Sequence, residues 1–347
     1  MLCYPPITSN LKWVAFTLMK QIFFTPSATP GRTGQQTSRR QSQHIAAGQF
    51  SISFPSIYKT TFMRNLLLLL LITAASFFSC KKQKPVQSPY VTETKVDIST
   101  HKLTAYSVIK NSKYLVVFEA GLGDGHESWN PTLNQRDIAV LSDSVKTDIL
   151  MYDRAGYGKS GFNAAPRNII KLRSELEMVI NQLAGGRKVV LVAHSLGGLI
   201  IRDYAIKNPA KVAALLLADP SHEAYNQPTQ ATEDLIYNMF VTSFGANSGA
   251  ATEARQLIED FQYSATLNPL PNVPVIVLTS MKHDASNNYS DAAYGKTRQD
   301  WYNAHEQLRT GVTDFTHVQT VNAGHYIHQQ EPALFLTNLK LLLSKLP

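Results

Sequence analysis

Short apolar runs alternate along this chain with longer segments in which apolar residues recur every three or four positions. The runs are YLVVFEAG from Tyr114, DILMYDRAG from Asp148, KVVLVAHS from Lys188, VAALLLADP from Val212 and PVIVLTS from Pro274, and FTHVQTVNAGH from Phe315 continues the series. Most are apolar at consecutive positions, as strands covered on both faces are. Between them lie helical stripes, one through Leu172, Leu176, Val179 and Leu183 and another through Phe335, Leu339, Leu342 and Leu346. Strands of this kind separated by helices predict an α/β domain with a mostly parallel central sheet flanked by helices. No internal repeat is visible.

One stretch breaks the alternation. Between VAALLLADP and PVIVLTS, from His222 to Leu270, run two amphipathic patterns, TEDLIYNMFVTSFG and EARQLIEDFQYSA, joined by Gly/Ala/Ser-rich chain. They predict a small helical lid over residues 222–270. Leu235, Ile236, Met239, Phe240 and Phe261 either line an acyl pocket or pack the lid onto the domain; both readings stand.

The N-terminal quarter has a different character. MRNLLLLLLITAASFFSCKKQ begins with Met63 and a basic residue, continues with a Leu-rich run from Leu66 to Phe78, and reaches small residues before Cys80. That order is the plan of a secretory signal peptide, and the run is shorter than the roughly 20 residues that span a bilayer. Residues 63–79 are therefore expected to be a signal peptide and 80–94 a polar, Pro-containing linker, with the domain at 95–347. Residues 1–62 lack acids and periodicity. They are expected to be a non-native or disordered extension ahead of a true start at Met63; a Ser/Thr-rich, basic transit peptide is the competing reading.

Charge sharpens this division. The net charge of +8 invites a nucleic-acid reading, but ten Lys and Arg and no acid lie between Met1 and Lys84. The remainder carries 8 − 10 = −2. No nucleic-acid partner is expected of the domain. Both cysteines, Cys3 and Cys80, also lie in the leader, which excludes a disulfide framework for the rest.

Candidate chemistry centres on LVAHSLGG. A strand that runs straight into a helix through this sequence makes a tight turn with Ser195 at its apex, and small residues at Ala193 and Gly197 leave room for it. A serine hydroxyl needs a base to take its proton. VNAGHYIHQQEP supplies His325 after the last strand, while His328 is expected to be structural and His194 to point away from the site. The orienting acid has two candidates: Asp219, at the end of an apolar strand and fixed by Pro220, is favoured, and Asp284, in the polar stretch TSMKHDASNN, is the alternative. Oxyanion donors are expected in the backbone N–H groups of Leu196 and of Leu122, the latter in the loop after YLVVFEAGLGDG. His126, His222, His283 and His317 show no metal-ligand spacing, so no metal and no cofactor is expected.

FEAGLGDGHESW, YDRAGYGKSG, LVAHSLGGLIIRDYAIKNPAKVAALLLADPSHE and GHYIHQQEP together resemble the α/β-hydrolase superfamily, and most closely its bacterial serine hydrolases of esterase type, over roughly residues 95–347. In that resemblance AHSLG is the nucleophile elbow, with Ala193 replacing its first glycine. Asp153 and Arg154 brace the turn after their strand, and Cys80 resembles the lipid-modified residue of a bacterial lipoprotein, with Phe77 departing from the usual pattern. The resemblance implies a serine hydrolase that cleaves ester or related acyl bonds of a small-molecule substrate through an acyl-enzyme. It also implies an exported protein, anchored by lipid at Cys80 to a bacterial membrane and facing the periplasm or cell exterior. The alternative is a lipid-anchored ligand-binding or signalling protein with the same fold and negligible turnover.

Overall fold

The computed structural model describes residues 91–133, 138–163 and 165–347. The extension 1–62, the signal-peptide stretch 63–79, Cys80 and the linker up to residue 90 lie outside the described residues. Eight strands form one sheet: β1 (Thr92–Asp97), β2 (Lys102–Val108), β3 (Leu115–Glu119), β4 (Asp148–Asp153), β5 (Val189–His194), β6 (Val212–Ala218), β7 (Val275–Ser280) and β8 (Phe315–Thr320). Their order is β1-β2-β4-β3-β5-β6-β7-β8. β1 and β2 pair antiparallel with each other, and β2 with β4; every pairing from β4 to β8 is parallel.

The six apolar runs are β3 to β8. β1 and β2 are additions that the apolar pattern did not signal, and β1 takes residues 92–94 from the expected linker. The reason is visible in TETKVD: of its six side chains only Val96 is fully buried, so an edge strand leaves little apolar trace.

Helices cover both faces of the sheet. They are α1 (Ile138–Val145), α2 (Ile169–Leu183), α3 (Gly197–Lys207) and, at the end of the chain, α10 (Pro332–Ser344). Strand side chains alternate between two cores, as the pleat dictates. Leu115, Val117, Leu191, Leu215, Leu217 and Val277 pack with α2 and α3, whereas Val116, Phe118, Val190, Val192, Leu216 and Ile276 pack with α1 and α10. The predicted stripes supply the helical half of each: Leu172, Leu176 and Val179 on α2, and Phe335, Leu339 and Leu342 on α10, are all fully buried.

Two helical segments rise from the carboxyl ends of the strands. The first follows β6 and contains α4 (Gln230–Phe244), α5 (Gly249–Ala254) and α6 (Leu257–Ser264). Three helices stand where two were expected, because EARQLIEDFQYSA breaks at Arg255 and Gln256, where Gln256 leaves helical geometry. The second segment, between β7 and β8, contains α7 (Ala285–Tyr294) and α8 (Arg298–Glu306). The polar stretch TSMKHDASNN runs into α7, with Asp284 as its N-cap: the Asp284 carboxylate accepts the Asn287 N–H at 2.9 Å. The short α9 (Ile327–Gln330) precedes α10. Among the described residues, no helix is long and apolar enough to cross a membrane.

The first insertion is tied to the sheet domain through Asp260 on α6, whose Oδ1 accepts the Ile169 N–H at the start of α2 at 2.7 Å. Its Oδ2 has no partner among the described residues. Burial, reinforced by Glu253 and Glu259 against the Ile169 hydrogen bond, pushes this carboxyl up to about 8. A raised folded-state pKa favours the fold below the unfolded value of 3.8 and loses that contribution as pH climbs toward 8. Asp260→Asn keeps the acceptor without the titration. In urea denaturation the variant should therefore gain stability relative to the parent between pH 5 and pH 8, by at most about 1.4 kcal/mol per pH unit. A stability difference independent of pH would contradict the buried neutral carboxyl.

Candidate active site

β5 and β6 lie side by side, with His194 paired to Ala218 at their carboxyl ends. The next residue of each strand is Ser195 and Asp219, and both adopt a left-handed backbone, φ 53° and 48°. A non-glycine residue held there costs about 1–3 kcal/mol, so the neighbouring structure must enforce it. Around Ser195 the enforcement is steric. The turn carries Gly197 so close to the preceding loop that a Cβ would sit 2.6 Å from the Glu119 carbonyl oxygen and 2.7 Å from that of Ala120. Only glycine fits that approach.

His325 enters from the loop after β8. Its Nε2 is 2.9 Å from Ser195 Oγ, and its Nδ1 is 2.7 Å from Asp219 Oδ2. The structure thus brings together Ser195, His325 and Asp219. Asp219 is fully buried, and its other oxygen, Oδ1, accepts the Ser280 N–H at 2.8 Å and the Trp301 indole N–H at 2.7 Å. Burial pushes the Asp219 carboxyl up, but the hydrogen bond and charge of His325, His305 nearby and the Ser280 N–H outweigh it and hold it below the usual carboxylate range. It is therefore ionised and can only accept, which leaves the proton on His325 Nδ1 and the lone pair of Nε2 facing the serine hydroxyl. The imidazole remains 26 % exposed, within reach of a ligand.

Asp284 occupies a different place. Its Oδ1 caps α7, and its Oδ2 lies against the loop that carries His325, where a Cβ on Gly324 would come within 2.2 Å of it. His194 departs from expectation. It does not turn away but packs behind His325, with ring centroids 4.6 Å apart and its Nε2 3.0 Å from the His325 carbonyl oxygen. Burial lowers its pKa, so the neutral ring can donate to that carbonyl. His328 is fully buried and packs its ring at a tilt against Trp129 and His194.

Above Ser195 and His325 opens a cavity of about 180 Å³. Leu122 and Leu196 line it beside the serine, and Ile236, Leu257 and Phe261 from the first insertion form an apolar wall. Of the five apolar insertion residues singled out in the sequence, Ile236 and Phe261 reach this cavity. Leu235 is 43 % exposed, and Phe240 lies over Gly123. The opposite wall comes from α7 and α8 and was not foreseen: Trp301 has no local signal, because it matters only through a carboxylate 82 positions earlier in the chain.

A family model described as alpha/beta hydrolase fold matches residues 114–340. The chain belongs to this α/β-hydrolase family. Uncharacterized protein YqjL of Bacillus subtilis (strain 168) is 27% identical over 222 residues, which span 64% of this chain and 80% of that one. The putative carbamate hydrolase RutD of Azorhizobium caulinodans is 28% identical over 104 residues, covering 30% of this chain and only 36% of its own length. The mitochondrial palmitoyl-protein thioesterase ABHD10 of Pongo abelii is 30% identical over 191 residues, 52% of this chain and 60% of that protein. Among solved structures, a thermophilic esterase from Thermogutta terrifontis aligns with a TM-score of 0.56 at 15% identity, over 73% of this chain and 98% of that one. Likeness at that identity speaks for the fold alone.

In this α/β-hydrolase the loop after β3 is held by a buried ion network. Arg154, at the end of β4, donates from Nη1 to Glu119 Oε1 at 2.8 Å and to the Ala120 carbonyl at 2.7 Å. From Nη2 it donates to the Gly121 carbonyl and to Glu253 Oε2, each at 2.8 Å. Arg154 therefore does more than brace its own turn: it clamps the β3 loop and ties α5 of the insertion to it. In a trans peptide the N–H lies opposite the C=O, so pinning the Gly121 carbonyl also fixes the direction of the Leu122 N–H. Sequence reasoning missed this role because Glu253 is 99 positions away in an insertion of undefined path.

Arg154→Met leaves Glu119 buried without its cation and Glu253 with only Arg167, 3.6 Å away, and urea denaturation should show a loss of about 3–5 kcal/mol. Lys110→Ala, which removes an exposed pair with Asp143, should cost no more than about 1 kcal/mol in the same assay. Equal effects of the two substitutions would refute the clamp.

Proposed function

We propose that this α/β-hydrolase is a serine hydrolase that cleaves esters or related acyl compounds through an acyl-enzyme. Ser195 is the nucleophile, His325 the general base and then acid, and Asp219 the carboxylate that orients the imidazole and balances its charge. The observation that carries this reading is the continuous pair of hydrogen bonds from Ser195 Oγ through His325 to a buried, ionised Asp219. The catalytic sequence follows from those contacts. As Ser195 Oγ attacks the acyl carbon, His325 Nε2 takes its proton, and the imidazolium is stabilised by Asp219. The oxyanion is met by the N–H groups of Leu122 and Leu196. The imidazolium then protonates the leaving group, water attacks the acyl-enzyme with His325 as base, and collapse returns the proton to Ser195.

The named relatives include an enzyme of thioester and one of carbamate chemistry, and both reactions transfer an acyl carbon. Structural neighbours also include an epoxide hydrolase from Vigna radiata, TM-score 0.57 at 16% identity. Epoxide opening on this scaffold usually employs an aspartate nucleophile, and a serine stands at the elbow here. We also infer export and a lipid anchor at Cys80, from the order of Arg64, the Leu66–Phe78 run and Cys80 followed by two lysines. Metabolic labelling with palmitate should mark the protein in a bacterial host and be lost in Cys80→Ser; labelling that survives the substitution would remove the anchor.

The principal test is a fluorophosphonate probe, which should modify Ser195 and fail in Ser195→Ala. An unreactive parent protein would favour a ligand-binding protein of this fold with negligible turnover. Asp219→Asn should lower kcat about 10⁴-fold on an activated ester. Asp284→Asn, which keeps the helix cap and removes only the charge, should leave turnover within about tenfold; reversed effects would reassign the acid.

A further inference from the structure

The cavity over Ser195 has two chemically different walls, and this difference carries a statement about substrate that rests on the hydrolase reading. The apolar wall is Ile236, Leu257 and Phe261. The facing wall is one side of α7, where Ser286, Ser290 and Tyr294 follow at intervals of four and all line the cavity. Positions i, i+4 and i+8 form a single stripe, here about 12 Å long at 1.5 Å per residue. A helix that lines a pocket for an alkyl chain presents apolar residues there; this one presents three hydroxyls.

Two of the hydroxyls are poised to meet a ligand hydroxyl, one as acceptor and one as donor. The single proton of the Tyr225 hydroxyl goes to the Asp291 carboxylate, so Ser290 Oγ, 3.3 Å away, donates to the Tyr225 oxygen and keeps its lone pairs for a ligand hydroxyl. Tyr294 receives a hydrogen bond from the Asn226 side chain, and burial raises its pKa, so it is a neutral donor at physiological pH. The wall is also uncharged as a whole. Its one cation, Arg298, is buried and neutralised by Asp291, to which its Nε donates at 2.8 Å, and it also donates to the Tyr225 hydroxyl at 2.6 Å. Among the described residues, no uncompensated cation faces the cavity to hold a carboxylate or phosphate. The space is small as well, about 180 Å³ against the several hundred that a drug-sized ligand occupies.

We propose that the Ser286–Ser290–Tyr294 stripe is a recognition subsite for a short, uncharged, hydroxyl-bearing arm of the substrate, with a short alkyl arm against the opposite wall. The substrate class is small neutral hydroxylated esters rather than long-chain or anionic ones. The polar arm belongs either to the acyl group, as in a hydroxyalkanoate ester, or to the alcohol, as in a glycerol monoester. The reaction is the same in both cases: the acyl carbon–oxygen bond breaks, the alcohol leaves with a proton, and water supplies the hydroxyl of the acid.

The test compares kcat/KM of the full chain on methyl butyrate, methyl 3-hydroxybutyrate, glyceryl monobutyrate, a butyl hemisuccinate and glyceryl monopalmitate. Rates are expressed per Ser195 titrated by a fluorophosphonate. At least one hydroxylated butyrate ester should exceed methyl butyrate by roughly tenfold or more, because an unmatched hydrogen-bonding wall discriminates against the analogue lacking the group. Methyl 3-hydroxybutyrate as the favoured ester assigns the arm to the acyl side, and glyceryl monobutyrate to the alcohol side. In Tyr294→Phe and in Ser290→Ala the ratio of the favoured ester to methyl butyrate should fall several-fold; a ratio of variants rather than an absolute rate keeps the result independent of yield. A ratio near one in the parent, or a preference for the palmitate or the hemisuccinate, overturns the subsite while leaving the hydrolase reading intact. Failure of the probe to titrate Ser195 overturns that reading instead.

Discussion

A charge taken out of water must be met by donors, and the fully buried Asp219 carboxylate imposes that requirement on the whole upper side of the sheet. Its two oxygens are satisfied by three donors from three parts of the chain: the Ser280 N–H at the end of β7, the Trp301 indole on α8 and the His325 imidazole after β8. Each of those segments is positioned by the carboxylate as much as it positions it. The left-handed turn at Asp219 is tolerable in this setting because the Asp219 N–H is itself held by the Leu278 carbonyl at 2.7 Å. Backbone strain, burial and ionisation are thus parts of one arrangement, and on the proposed mechanism that arrangement gives His325 its tautomer.

A second buried charge does for the loop after β3 what Asp219 does for the imidazole. Arg154 spans the β3 loop and the helical insertion through Ala120, Gly121, Glu119 and Glu253. Tyr157 extends the link, donating to Glu253 Oε2 at 2.8 Å and accepting the Gly123 N–H at 3.2 Å. The insertion that bounds the cavity and the loop that bears Leu122 are therefore one mechanical unit. A change of substrate-facing residues on that insertion acts on a wall whose foundation is the same arginine that directs the Leu122 N–H.

Strands buried on both faces write themselves into the chain as unbroken apolar runs, which is why β3 to β7 and the stripes of α2 and α10 were legible. Ser195 and His325 were legible too, because each sits at a junction with its own local pattern, a tight strand-to-helix turn and a Gly-His after the last strand. The remainder was hidden for physical reasons. β1 lies at the edge, where Thr, Lys and Glu serve as well as valine, and the buried positions of β2 include Thr104 and Ser107, which interrupt its apolar run. Trp301, Glu253 and the stripe of α7 act through partners far away in the chain, so no window of sequence contains the interaction. Asp219 and Asp284 are both aspartates after strand ends; only the approach of the His325 loop distinguishes the one at 2.7 Å from the one that caps a helix.

The central claim, that a buried Asp219 holds the Nδ1 proton of His325 so that Nε2 faces Ser195, is tested most directly by NMR of protein labelled with ¹⁵N-histidine. The account predicts a strongly deshielded, slowly exchanging proton on His325 Nδ1 that persists in Asp284→Asn and disappears in Asp219→Ala. A signal that survives the loss of the Asp219 carboxylate, or one that vanishes with Asp284, would contradict it.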